Sequence, residues 1–114
     1  MKKRSLRLYE GMYIISATLS DDARKKAIDK ITEGIEANGG EIHKVFEMGR
    51  RRLAYIIEKK REGYYYVVYF SIDPELIKDI WKEYHLHEDL LRFCTMQTEK
   101  VRENLEFKPL KQQS

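Results

Sequence analysis

Three consecutive arginines, Arg50, Arg51 and Arg52, follow Gly49 and stand at the head of the apolar run "LAYII", and Lys59, Lys60 and Arg61 close that run. Arginine offers paired N–H donors in a fixed fork and lysine a compact charge, and both suit phosphate oxygens. Guanidinium groups resist burial without partners, and neighbouring residues of a strand point to opposite faces, so at least one face here is wet or meets an anion. Arg7 and Arg92, on other predicted strands, would extend such a basic track. The same charges would equally guard a strand edge against pairing with another chain. The local chemistry leaves both roles open.

Other candidate chemistry is thinner. His85 and His87 are two apart and can face the same way, but only the adjacent Glu88 and Asp89 accompany them, which is not the ligand spacing of a metal site; contact with an anion or plain exposure is expected. The stretch "EGYYYVVY" partly meets the pattern of an RNA-recognition motif, in which third-strand aromatics stack on bases. Glu62 stands where that pattern has a basic residue and Tyr65 where it has a small one. Tyr13, Tyr64 and Tyr66 are therefore candidates for base stacking, or, as tyrosines at period two, for a packed or protein-facing sheet surface. The loop "SATLSDD" has no glycine-rich phosphate cradle of the kind an acylphosphatase-like enzyme would need, and no Ser, His and Asp set stands out, so no enzyme, cofactor or small-molecule substrate is expected.

The chain that must position these groups has 114 residues, 42% hydrophobic and 36% charged, with a net charge of +3. That length fits one compact domain with a strongly ionic surface. The longest apolar run, Tyr64 to Phe70, is too short to span a membrane, and the basic opening "MKKRSLRLYE" is followed by no signal-type apolar segment, so neither membrane nor export is expected. The single cysteine, Cys94, lies within "LLRFCTM" and is expected to be a reduced, buried thiol, in keeping with the cytoplasm.

The pattern predicts a strand at Leu8 to Ser16, then a helix capped by Ser20, with Asp21 and Asp22 in its first turn and an apolar stripe of Ala23, Ala27, Ile28, Ile31 and Ile35. "NGG" at 38–40 stops it. One long strand, kinked at Gly49, should run from Glu41 to Lys59, and the tip "KKREG", ending in Gly63, reads as a hairpin turn before the strand "YYYVVYFSI". Asp73 and Pro74 start a second helix, with Leu76, Ile77, Ile80, Trp81 and Tyr84 as its buried stripe. "HLHED" turns into the last strand, Leu90 to Gln97. The order βαββαβ predicts an α+β, ferredoxin-like split βαβ sandwich, a four-stranded antiparallel sheet with two helices on one face. Residues 1–6 form a basic leader, 7–98 the domain, and 99–114 a flexible charged tail with Leu105, Phe107 and Leu110 as its apolar handles.

"RLYE" at Arg7 to Glu10, "GRRRLAYIIEK" at Gly49 to Lys59, the aromatic third strand and "LHEDLLRF" at Leu86 to Phe93 together resemble the bacterial family of the sixth small-subunit ribosomal protein, from about Arg7 to about Lys100. The resemblance implies a structural, non-catalytic, cytoplasmic protein of the small ribosomal subunit, bound to the central domain of small-subunit ribosomal RNA together with the eighteenth small-subunit protein. It implies RNA-contacting roles for Arg7, Arg50, Arg51, Arg52 and Arg92. Lys59, Lys60, Arg61, His85 and His87 join these as candidates, although a histidine is mostly neutral at pH 7 and makes a weaker phosphate contact than arginine. Tyr64, Tyr66, Leu105, Phe107 and Leu110 are the candidates for touching the protein partner. The chain has Ile56 where many family members have proline, which returns an N–H donor to that strand. The alternative is a free-standing single-stranded RNA binder of the RNA-recognition-motif type.

Overall fold

The computed structural model describes residues 6–57 and 60–103, with the side chains of 54–57 and 60 outside the description. Strand β1 (Arg7–Ser16) is followed by helix α1 (Asp21–Ala37), strands β2 (Glu41–Ile57) and β3 (Lys60–Ile72), a 3-10 turn at Pro74–Leu76, helix α2 (Ile77–His85) and strand β4 (Leu90–Gln97). The sheet order is β2-β3-β1-β4 with every neighbouring pair antiparallel. Both crossovers place their helices on one face, the expected ferredoxin-like sandwich.

Local chemistry explains the boundaries. The Ser20 hydroxyl accepts the Ala23 N–H at 3.2 Å, satisfying one of the free donors at the start of α1, and Asp21 and Asp22 sit at its positive end. At the other end Gly39 takes φ 84°, a left-handed turn that glycine adopts without penalty. The Asp73 carboxylate accepts the Glu75 N–H at 3.0 Å, and Pro74 supplies a preset φ for the turn into α2.

Alternation divides the sheet. Tyr9, Tyr13 and Ile15 of β1 and Tyr66, Val68, Phe70 and Ile72 of β3 face the helices, where they pack on Ile28, Ile31 and Ile35 of α1 and Ile77, Ile80 and Tyr84 of α2. The Tyr13 and Tyr84 hydroxyls share a 2.7 Å hydrogen bond inside this core, so neither polar tip is left unpaired. Ala23, at the edge of the predicted stripe, is half-buried. Among the described residues the opposite face has no helical layer. It carries a smaller cluster of Leu53, Tyr65 and Leu91, with Ile14 and Met48 against it.

Three sequence expectations need correction. Cys94 is exposed, because it points to the face without helices on a strand at the sheet's edge. Trp81 is also exposed, its indole N–H donating to Thr95 Oγ1 at 3.2 Å across the flank of β4, while Ile77, Ile80 and Tyr84 supply the buried stripe of α2. Finally, Arg61, Glu62 and Gly63 lie inside β3 and form no turn, because that strand begins at Lys60. Gly63 is there for space: a Cβ would stand 2.5 Å from Ile14 Cγ2 of the neighbouring strand.

Candidate nucleic-acid interface

Gly49 sets the arginines. It has φ 91°, and the β2–β3 register slips between Glu47 and Gly49, the mark of a bulge built on a left-handed glycine. Beyond it the ladder resumes with Arg50 opposite Tyr64, Arg51 opposite Gly63 and Arg52 opposite Glu62. Since opposed residues share a face, Arg50 and Arg52 point to the helix side of the sheet and Arg51 to the open side. All three are exposed. Arg50 Nε pairs with Glu62 Oε1, and that carboxylate holds the guanidinium above its usual range. With both partners in solvent, the pair contributes little to stability and leaves Arg50 able to change partners.

β1 ends at Ser16, opposite Gly63, whereas β3 begins three residues earlier at Lys60 and β2 runs on to Ile57. The hairpin thus projects past β1 as a two-stranded ribbon carrying Arg51, Arg52 and the exposed Arg61. Lys60 is part of this ribbon through its backbone. Lys59 lies outside the described residues, as do Leu105, Phe107 and Leu110.

At the same end of the sheet an open cleft of ≈ 740 Å³ is lined by Ser16, Thr18, His85, His87, Asp89 and Arg92, among others. Hydrogen bonds shape it: Ser16 Oγ and Thr18 Oγ1 are 2.8 Å apart, and the Ser16 N–H donates to the Asp89 carbonyl at 3.0 Å. His87 Nε2 lies 3.3 Å from the Ala27 carbonyl, which only accepts, so Nε2 carries the proton of that contact. The His85 ring packs edge-on against Phe93, with centroids 5.3 Å apart. Arg92, opposite Ile14, is exposed and donates through Nη1 to the Leu91 carbonyl at 2.8 Å. Three donor-bearing side chains therefore meet hydroxyls and a carboxylate in one concavity. Among the described residues no three His, Cys, Asp or Glu side chains converge as a metal site would require.

The fold thus gathers the triplet, Arg61, His85, His87 and Arg92 at one end. Arg7 does not join them. It is exposed opposite Ile72, at the far end of a ten-residue strand, roughly 30 Å from Ser16 at the usual rise per residue.

The tyrosines are differently placed. Tyr13 is 0% and Tyr66 3% exposed, both on the helix side, and Tyr64 is half-buried there. Arg24 of α1, which sequence reasoning overlooked, lies 3.9 Å over the Tyr64 ring and donates through Nε to the Tyr66 hydroxyl at 2.9 Å. Its position on the sheet-facing side of α1, between Ala23 and Ala27, was the available signal. These rings form no open platform on which bases could stack, and Tyr66 has almost no surface to give a protein partner.

The relation to known proteins agrees with the fold. Residues 8–97 match the family model described as ribosomal protein S6. Over 113 residues the chain is 59% identical to the small ribosomal subunit protein bS6 of Protochlamydia amoebophila, covering 99% of each chain. The corresponding protein of Chlamydia felis is 56% identical over 110 residues, covering 96% of this chain and 98% of the relative. The crystal structure of 30S ribosomal protein S6 from Thermotoga maritima superposes with a TM-score of 0.78 at 32% identity, covering 82% of this chain and 89% of that one. The C-terminal domain of the MgtC protein from Mycobacterium tuberculosis, at a TM-score of 0.59 and 10% identity, shares the fold alone. The chain belongs to the ribosomal protein S6 family, the non-enzymatic proteins of the small ribosomal subunit.

Proposed function

We propose that the protein binds the central domain of small-subunit ribosomal RNA in the cytoplasm, together with the eighteenth small-subunit protein, and that the arginine-bearing end of the sheet is its RNA surface. The observation that carries this reading is the convergence of Arg51, Arg52, Arg61 and Arg92 on one end, exposed around a projecting ribbon and an open polar cleft. Phosphate contacts of this kind fix register and orientation and need no base-specific pocket. Lys59 and Lys60 remain candidates from the sequence, His85 and His87 serve as hydrogen-bonding groups in the cleft, and Arg7 makes a separate contact at the far end. The protein partner takes surfaces outside the arginine cluster, with Tyr64 and the apolar tail residues as candidates.

Because Arg51 and Arg52 point to opposite faces, one RNA strand passing over the sheet cannot use both equally, whereas an RNA fold that straddles the ribbon can. Replacing Arg51 and Arg52 by alanine should weaken binding to the folded central-domain RNA and flatten the dependence of log affinity on log salt by roughly one unit per lost phosphate contact. A titration of affinity against salt checks this, and an unchanged slope sinks the role. A single-stranded RNA binder that stacks bases on Tyr13, Tyr64 and Tyr66 is disfavoured by the burial of these rings.

A further inference from the structure

The projecting ribbon is gripped where it leaves the body of the sheet. Tyr64, opposite Ile15, is the last β3 residue to lay a side chain beside β1, because Gly63, next towards the tip, has none and β1 ends opposite it. On the open face the grip is apolar, with Leu53 of β2 packing against Tyr65 and against Leu91 of β4. On the helix face it is made by Arg24. The Arg24 N–H makes the first helical hydrogen bond of α1, to the Ser20 carbonyl at 2.9 Å, and from this first turn the side chain reaches the sheet. Its guanidinium lies 3.9 Å over the Tyr64 ring and donates through Nε to the Tyr66 hydroxyl and through Nη1 to Asp21 Oδ1, both at 2.9 Å. With 18% of the side chain exposed and two nitrogens engaged, Arg24 has little left to offer a ligand. The ring that it pins is the neighbour of Arg50. Tyr64 and Arg50 are opposed across the β2–β3 ladder, and the Tyr64 hydroxyl lies beside the Arg50 guanidinium. Arg50, by contrast, is 57% exposed, and its partner Glu62 is 43% exposed.

We propose that Arg24 is a positioning residue for RNA binding: through the Tyr64 ring it fixes the direction of Arg50 at the root of the ribbon, so that on the helix face an RNA phosphate takes the guanidinium over from Glu62. This role rests on the RNA surface proposed above. A freely turning arginine loses much rotamer freedom when it grips a phosphate, and one already held beside a pinned ring loses less on binding. A cation over the face of a half-buried tyrosine is a firmer anchor for that ring than an exposed ion pair. Glu62 keeps the Arg50 fork extended in the free protein, and since both partners stand in solvent the exchange of carboxylate for phosphate costs little.

Affinity for the folded central-domain RNA is measured against salt for the full chain, for Arg24→Gln, for Arg50→Ala and for the two combined, with Arg51 and Arg52 both replaced by alanine as the reference variant. Arg24→Gln should bind about tenfold more weakly, the size of one charge-assisted contact, and its salt slope should fall by about one unit. In the Arg50→Ala background the same change should alter affinity by less than about twofold, because its effect runs through Arg50. A loss that persists undiminished in that background makes Arg24 itself a contact and overturns the proposal. So does an Arg24→Gln protein that binds like the unaltered chain while the reference variant is weakened. Should the unaltered chain fail to bind, or the reference variant bind as well as it does, the RNA surface falls and this role with it. The NMR signal of the Arg50 Nε–H in the free protein gives a second readout. It should move in Arg24→Gln and, in the same direction, in Tyr66→Phe, which removes only the hydroxyl that Arg24 Nε donates to and decides the matter if Arg24→Gln fails to fold. An Arg50 signal that stays in place in Tyr66→Phe overturns the proposal.

Discussion

Two glycines in the hairpin act for different reasons, and substitutions separate them. At Gly49 a Cβ would meet nothing within 4 Å, so the constraint is its φ of 91° alone. Gly49→Ala should lose about 1–2 kcal/mol, and Gly49→Asn noticeably less, because asparagine tolerates the left-handed region. At Gly63 the backbone is ordinary and the space is filled by Ile14 and, at 3.6 Å, by Leu53 Cδ2. Gly63→Ala should cost about 1–3 kcal/mol, with no rescue by asparagine. Denaturant midpoints of the four variants check the contrast, and a Gly63→Asn protein as stable as wild type would show that Ile14 yields. Arg50 belongs to the same scale. Its partner Glu62 is twelve residues away in sequence, so the opposite directions of neighbouring arginines were legible from alternation but the Arg50–Glu62 pair was not.

The elements were largely legible, for physical reasons that differ from case to case. α1 announces itself by a capping serine, two early acids and an apolar stripe at helical spacing, and it runs Asp21–Ala37. Ser20→Ala should remove the acceptor for the Ala23 N–H and destabilise the protein by about 1 kcal/mol, read from the shift in thermal midpoint. β4 is bounded by the "HLHED" turn and matches its expected span of Leu90–Gln97. The start of β3 was missed because glycine is ambiguous: Gly63 looks like turn punctuation until the strand beside it is known. Which face of β4 is covered was illegible for the same kind of reason. Alternation says that Phe93 and Cys94 point opposite ways, and only the assembled sheet says that the helices take Phe93. The cleft draws Ser16 and Thr18 from the end of β1 and His87 and Asp89 from the approach to β4, so no single stretch of sequence displays it.

For the whole molecule, the tyrosines make stability depend on alkaline pH. Burial, then the Glu10 carboxylate that accepts its 2.5 Å hydrogen bond, pushes Tyr69 from its usual 10.0 up to about 12. Burial likewise raises Tyr13, Tyr66 and Tyr84, with Arg24 partly offsetting the rise at Tyr66. A phenol whose pKa is higher in the folded state favours folding fully below its unfolded value near 10, and that contribution is lost as the pH climbs through the folded value. The urea midpoint should therefore hold between pH 8 and about 9.5 and fall steadily from about 10 upwards. A midpoint flat to pH 12 would mean that the core phenols ionise as readily folded as unfolded. Below about pH 9 their contribution is fully present and no longer changes with pH, so any pH response of RNA binding near neutrality has to come from other groups.

The irregularities of β2 also bear on what can attach to the sheet. This edge strand slips register against β3 at three places and carries Glu41, His43, Glu47 and the arginines, and such irregularity and charge discourage an incoming strand. β4, on the other flank, runs regularly from Arg92 to Gln97 with a single charge. The sheet therefore has a polarity for growth: the hairpin side is guarded by bulges and charge, and a strand that lengthens it, from a neighbour in a crowded assembly or from a misfolded copy, adds more readily beside β4.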